Sequence, residues 1–196
     1  MTKELFDLMK KLDIQSPEVQ LALRCAPLLA GLKCSNLLIL KKVQSCRIRR
    51  LIAHTTISGY SFYQSETQEF LLLYQPSQLA AHLLEPKAAK ILSHLEYPDH
   101  CLQSVLRTFA KRYQSYRSGN SSFPHEMGLL LGYPPGDVYG FIEHHGADSL
   151  CTGYWKVYEH VPEKEALFHK FDAAKEQLIR MLAAGVSMRE MMESLT

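Results

Sequence analysis

The chain has 196 residues, 46% of them hydrophobic and 21% charged, with a formal net charge of +2 at neutral pH. That length suits one domain with a sizeable core, and that balance of apolar and charged residues belongs to folded globular proteins rather than to disordered or membrane-embedded ones. So small a net charge does not by itself imply a nucleic-acid partner.

The first residues, MTKELFDLMKKLD, carry charges where a signal peptide would have an apolar block, and no run approaches the ~18 consecutive apolar residues of a spanning helix. A cytoplasmic protein with no membrane association is the expectation. Five cysteines without a CxxC pair agree with it, since they read as reduced thiols rather than as a disulfide framework.

Within residues 2–12, Leu5, Phe6, Leu8, Met9 and Leu12 recur at helical spacing, which predicts a short amphipathic helix. Ser16 offers an N-cap oxygen, Pro17 suits a first helical turn and Glu18 complements the dipole, so a second helix starts there and runs towards Gly31. Pro27 lies inside that pattern and predicts a kink or an early end near Ala26. Residues 36–40 and 70–74 are continuous apolar runs of strand length, read as paired strands buried on both faces. Residues 43–54 read as a basic helix, with a cationic cluster of Lys41, Lys42, Arg47, Arg49 and Arg50 over its start and length. Residues 55–63 are rich in β-branched and aromatic residues and suggest an edge strand.

Further on, the pattern from Leu79 to Leu83 and that from Ala88 to Leu95 give either two helices divided at Pro86 or one kinked helix. Pro98 and Asp99 open the next helix, whose exposed side is assigned Arg107, Lys111, Arg112 and Arg117 and which ends in the loop Ser118, Gly119, Asn120. Near the end of the chain, Pro162 and Glu163 start a long helix with Gly185 as its stop. Ser187 and Glu190 form a capping-box pattern before a short helix bearing Met188, Met191, Met192 and Leu195. The fold class expected is α+β, a mostly helical single domain over residues 1–196 with a small sheet of about three strands.

Residues 123–158, FPHEMGLLLGYPPGDVYGFIEHHGADSLCTGYWKVY, concentrate the unusual chemistry. They hold six of the ten glycines, three of the nine histidines and the only tryptophan. Pro124 and Glu126 place His125 and Glu126 in a helix's first turn, and Gly132 stops that helix. Gly136 and Asp137 begin a second helix that Gly146 stops. The pair has the outline of a helix-turn-helix, but the second helix offers Asp137, Tyr139 and Glu143 where base reading needs polar or basic donors, so nucleic-acid binding is disfavoured. Residues 153–158 read as a third strand, with Tyr154, Trp155 and Tyr158 flanking Lys156.

The succession FPHE, LGYP, DV, GFI and GYWKVY, with the earlier RCAPLLAGLK and LLLYQP, resembles the bacterial domain-of-unknown-function family DUF3793 from about Leu21 to Leu182. The resemblance implies a compact single-domain cytoplasmic protein. It brings no catalytic residues and no cofactor, and it implies no general role for Cys34.

Three chemistries fit the central stretch. Tyr133, Tyr139, Tyr154, Trp155 and Tyr158 could wall a small-molecule pocket in which Lys156, His125 and Glu126 orient the ligand. His125, His144, His145 and Cys151, with Glu126, are the candidate ligands for a metal or haem, although their spacing matches no established signature and adjacent histidines on a helix point apart. Cys25, beside an interrupted helix, or Cys151 could act as a nucleophile with His125 as base. A small-ligand-binding protein is the leading expectation, with no assignment of reaction, cofactor or oligomeric state.

Overall fold

The computed structural model describes residues 3–194, and the side chains of residues 7–191. The side chains of Leu5, Phe6, Met192 and Leu195 therefore lie outside the described set. In chain order the elements are α1 (Lys3–Lys10), α2 (Pro17–Leu29), β1 (Ser35–Lys41), α3 (Lys42–Ile52), β2 (Ser58–Gln64), β3 (Gln68–Tyr74), α4 (Pro76–Leu83), α5 (Pro86–His94) and α6 (Leu102–Arg117). They continue with α7 (Met127–Leu130), α8 (Pro135–Glu143), β4 (Cys151–Thr152), β5 (Lys156–Val157), α9 (Val161–Ala183) and α10 (Met188–Ser194). The architecture is α+β and mostly helical. Among the described residues, no helix is long and apolar enough to cross a membrane.

The main sheet has the order β1-β3-β2 and is antiparallel throughout, with Ser35 opposite Tyr74 and Lys41 opposite Gln68. β3 lies in the middle and is apolar on both sides because helices cover both faces. Leu71 and Leu73 enter a core with Leu21, Leu28, Ile48 and Leu178, from α2, α3 and α9. Phe70, Leu72 and Tyr74 point the other way, into a core with Leu79, Leu92, Phe109 and Leu129, from α4 to α7. The period-2 alternation of a strand thus divides one apolar run between two cores. Each fully buried Leu or Phe contributes about 1.5–3 kcal/mol relative to exposure.

Four expectations need correction. α6 opens at Leu102 rather than at Pro98 and Asp99, and His125 and Glu126 precede α7 rather than forming its first turn. α2 does not end near Ala26 but continues through Pro27 to Leu29. Pro27 removes the donor that would have met the Leu23 carbonyl, yet the helix closes beyond it, with the Ala30 N–H reaching the Ala26 carbonyl. The segment 153–158 is not a third strand of the main sheet. β4 and β5 pair only with each other, Cys151 opposite Val157 and Thr152 opposite Lys156, and Tyr154 and Trp155 occupy the turn between them. The third strand is β2, an edge strand. Pro86 opens a separate helix, and the Ser187–Glu190 box forms, with the Ser187 N–H donating to Glu190 Oε2 at 2.9 Å.

Gly132 ends α7 at a φ of 67°, and a Cβ there would lie 2.6 Å from Cys34 Sγ at the entry to β1. Gly119 has a φ of 75°, and no atom lies within 4 Å of where a Cβ on it would stand. Gly119→Ala is therefore expected to lose about 1 kcal/mol from backbone strain alone, and Gly132→Ala about 2 kcal/mol or more because crowding adds to strain. Urea unfolding of the two variants side by side checks the difference.

Candidate functional site

α7 and α8 are short helices joined by Leu131, Gly132, Tyr133 and Pro134, and Pro135 supplies a pre-set φ for the first turn of α8. Together with the β4–β5 turn they enclose a cavity of about 270 Å³. Its walls are apolar or aromatic, from Phe123, Met127, Leu131, Val138, Phe141 and the turn residues Tyr154 and Trp155; His125, Tyr133, Asp137 and Lys156 also line it. Small-molecule sites commonly combine such walls with a few polar groups, and this one lies just below the usual ~300–1,000 Å³.

The cavity depends on Asp137, which is 2% exposed. Its Oδ2 accepts from Trp155 Nε1 at 2.8 Å, while its Oδ1 accepts from the backbone N–H of Tyr158 at 2.8 Å and of Glu159 at 3.3 Å. Lys164 Nζ stands 3.9 Å from Oδ2 as its counter-charge. One carboxylate in the first turn of α8 thereby holds the whole segment from Trp155 to Glu159. Trp155 in turn stacks on Tyr133, centroids 4.9 Å apart at 28°, and meets Phe168 of α9 edge-on at 4.6 Å.

A family profile described as "Protein of unknown function (DUF3793)" matches residues 21–192, a span that takes in β1 to β5 and the whole cavity. The chain belongs to this family. No curated protein and no solved structure matches it. The segments FPHE, LGYP, DV and GYWKVY of this family member supply the cavity's helix entry, its α7–α8 turn, Asp137 and the β4–β5 turn with its following backbone.

Five of the residues singled out in the sequence, His125, Tyr133, Tyr154, Trp155 and Lys156, come together on the cavity. The His125 ring lies 5.4 Å from that of Phe123 and 5.2 Å from that of Phe141. The Lys156 ammonium donates to the Gly146 carbonyl, and the Tyr154 hydroxyl donates to Asp172 at 2.8 Å. Burial, with Asp172 second, pushes the Tyr154 phenol well above its ordinary pKa.

Glu126 does not face the cavity, nor does it cap a helix with its side chain. It is 2% exposed and accepts from Arg112 Nε at 2.7 Å and from the Tyr97 hydroxyl at 3.0 Å. Arg112, assigned to the exposed side of α6, is thus partly drawn inward. Burial first, and the adjacent Glu126 charge second, raise the Tyr97 phenol far above its usual value.

Tyr139 belongs to a different cavity, and Tyr158 stacks on His144 at 5.6 Å. His144 is half outside, 3.9 Å from Asp148, and His145 is exposed at a left-handed φ of 49°. Among the described residues no three His, Cys, Asp or Glu side chains converge in a way that could hold a metal ion, so His125, His144, His145 and Cys151 are not brought together. Cys25 packs in the core of α2, β1 and α9, fully buried, and burial raises its thiol to about 12. A thiol so held is inert packing at neutral pH.

Two further features were not singled out in the sequence. Lys33, just before β1, is 9% exposed. Its ammonium donates to Asn36 Oδ1 at 3.2 Å and lies 5.0 Å over the Tyr133 ring, and burial lowers it to about 8. On the far side of α8 a larger groove of about 710 Å³ runs along α5, with Ile91, Leu95, Tyr139 and Ile142 in it and Lys87, Lys90, Glu143 and Glu159 among its charged residues. Lys87 grips the Glu159 carboxylate at 2.9 and 3.1 Å, and that carboxylate lies where a Cβ on Gly136 would be.

Asp137→Asn places an amide NH₂ against donors that now meet a carboxylate oxygen. The variant is expected to lose about 1–3 kcal/mol and to shift the emission of Trp155, the only tryptophan, to the red. Urea unfolding followed by fluorescence reads both. For Lys33, the unfolded chain holds the proton more tightly than the folded one. The full cost is therefore present below about pH 8 and is relieved as pH rises from there towards the ordinary 10.5. Lys33→Met is expected to raise stability at pH 7 by about 2–3 kcal/mol and to abolish that rise, measured by urea unfolding at pH 7, 8, 9 and 10.

Proposed function

We propose that the protein binds a small, largely apolar and planar molecule in the cavity between α7, α8 and the β4–β5 turn. The observation that carries this reading is the convergence of ring and methyl-bearing walls on a space whose polar edge is supplied by Lys156 and His125. Both oxygens of Asp137 are already engaged by the protein, so the acidic residue at the cavity holds its wall. The ligand's polar end meets donors: it carries an anionic or acceptor group for Lys156 or His125. A cytoplasmic, monofunctional binder of such a compound is the simplest protein of this description.

The single tryptophan stands in the cavity wall, so it serves as the reporter. Titration with 8-anilinonaphthalene-1-sulfonate, an apolar aromatic anion, is expected to quench Trp155 saturably by energy transfer. Leu131→Phe, which fills the cavity, and Lys156→Gln, which removes the cation, are each expected to weaken binding roughly tenfold, the equivalent of about 1.4 kcal/mol. Absence of saturable quenching, or equal binding by the Leu131→Phe variant, would sink the reading.

A further inference from the structure

Among the described residues Lys33 is the only buried lysine. A buried ammonium ordinarily has a carboxylate partner, because the cost of taking the charge out of water must be offset. No carboxylate of the described residues forms an ion pair with Lys33; ion pairs among those residues fall elsewhere. Its surroundings are the amide oxygen of Asn36, the ring of Tyr133 and the thiols of Cys25 and Cys34. None carries a full negative charge, since burial raises both thiols and keeps them protonated. A site of this kind raises the share of the neutral amine, which is the nucleophilic form, and desolvated lysines are the usual means of forming imines with carbonyl compounds.

The amine is one side chain away from the cavity. The Tyr133 ring lies under the Lys33 ammonium, lines the cavity and stacks on Trp155. We propose that the ligand is a small aromatic or apolar aldehyde or ketone, that the Tyr133 ring swings aside to admit its carbonyl, and that Lys33 condenses with it to an imine. This rests on the ligand-cavity reading and names the class of compound that the cavity takes.

The Nζ lone pair adds to the carbonyl carbon and a proton passes from nitrogen to oxygen, which gives a carbinolamine. Loss of the hydroxyl as water then forms the carbon–nitrogen double bond. The sum is amine plus carbonyl to imine plus water, with no oxidant or reductant, and hydrolysis reverses it. The protonated thiols of Cys25 and Cys34 do not compete for the carbonyl as thiolates. With the amine lowered to about 8, about a tenth of it is unprotonated at pH 7, against well under a thousandth for an exposed lysine at the ordinary value.

The test incubates the intact protein at pH 7 with 4-carboxybenzaldehyde and cyanoborohydride, which reduces an imine to a stable amine, and maps the adduct by peptide mass spectrometry. Lys33 is expected to be modified roughly tenfold or more faster than exposed lysines such as Lys90. The alcohol 4-(hydroxymethyl)benzoate, which fits the same space without a carbonyl, is expected to slow that modification. Lys33→Arg, checked for an unchanged melting temperature, is expected to lose the adduct. Modification spread over exposed lysines with Lys33 untouched overturns the proposal, and the wild-type map decides this even if the variant fails to fold. If the alcohol quenches Trp155 while Lys33 stays unmodified, imine formation alone fails. If neither alcohol nor aldehyde perturbs Trp155, the ligand-cavity reading fails with it.

Discussion

The carboxylate of Asp137 sets the geometry on which the rest of the site depends. A first-turn aspartate more often serves its own helix, as a favourable charge at the positive end of the dipole. Here both oxygens are directed across to a different segment, where they accept from an indole and two backbone N–H groups. The strands β4 and β5 have only two residues each and could not hold a shape by their own pairing. The carboxylate supplies what so short a ribbon lacks, and Lys164 balances the buried charge. The position of Trp155, hence of Tyr133 stacked on it, follows from that one side chain.

Most of the fold was legible from periodicity and stop signals. The apolar runs at 36–40 and 70–74 became paired strands; helices cover both faces of β3, as its continuous hydrophobicity implied, whereas in β1 Ile39 is exposed. What misled was aromatic density. Residues 153–158 have the β-forming composition of a strand, yet only Lys156 and Val157 pair, and with β4 alone; the rings of Tyr154 and Trp155 pack on Phe168 and Phe171 of α9 and on Tyr133, so that tertiary contact fixes the turn.

The cavity's residues were largely legible as a set, and the roles of several were not. His125 and Glu126 are neighbours in sequence on one turn, but one lines the cavity and the other is buried 2.7 Å from a guanidinium. Nothing in the local pattern distinguishes them, because the partner of Glu126 comes from α6. Asp137 and Lys33 stood inside the segments that carried the family resemblance, DV and RCAPLLAGLK, without a visible reason. Their significance lies in contacts across the chain: Asp137 with a residue 18 positions on, and Lys33 with the ring of Tyr133. The sequence pattern marks Cys25 as noteworthy beside Pro27, whereas burial makes Lys33, at the other end of the same segment, the group with unusual chemistry.

The placement of α8 carries a mechanical consequence. Asp137, Val138 and Phe141 of this helix face the aromatic cavity, and Gly136, Tyr139, Ile142 and Glu143 face the groove along α5. One nine-residue rod is therefore the partition between two spaces, bonded by Asp137 to the segment after β5 on one side and met at Gly136 by the Glu159 carboxylate on the other. Its later turns are packed too, Gly140 against the Tyr158 ring and Phe141 against His125. The two spaces therefore share one wall, and a substitution on either face of α8 that shifts its axis reshapes both of them.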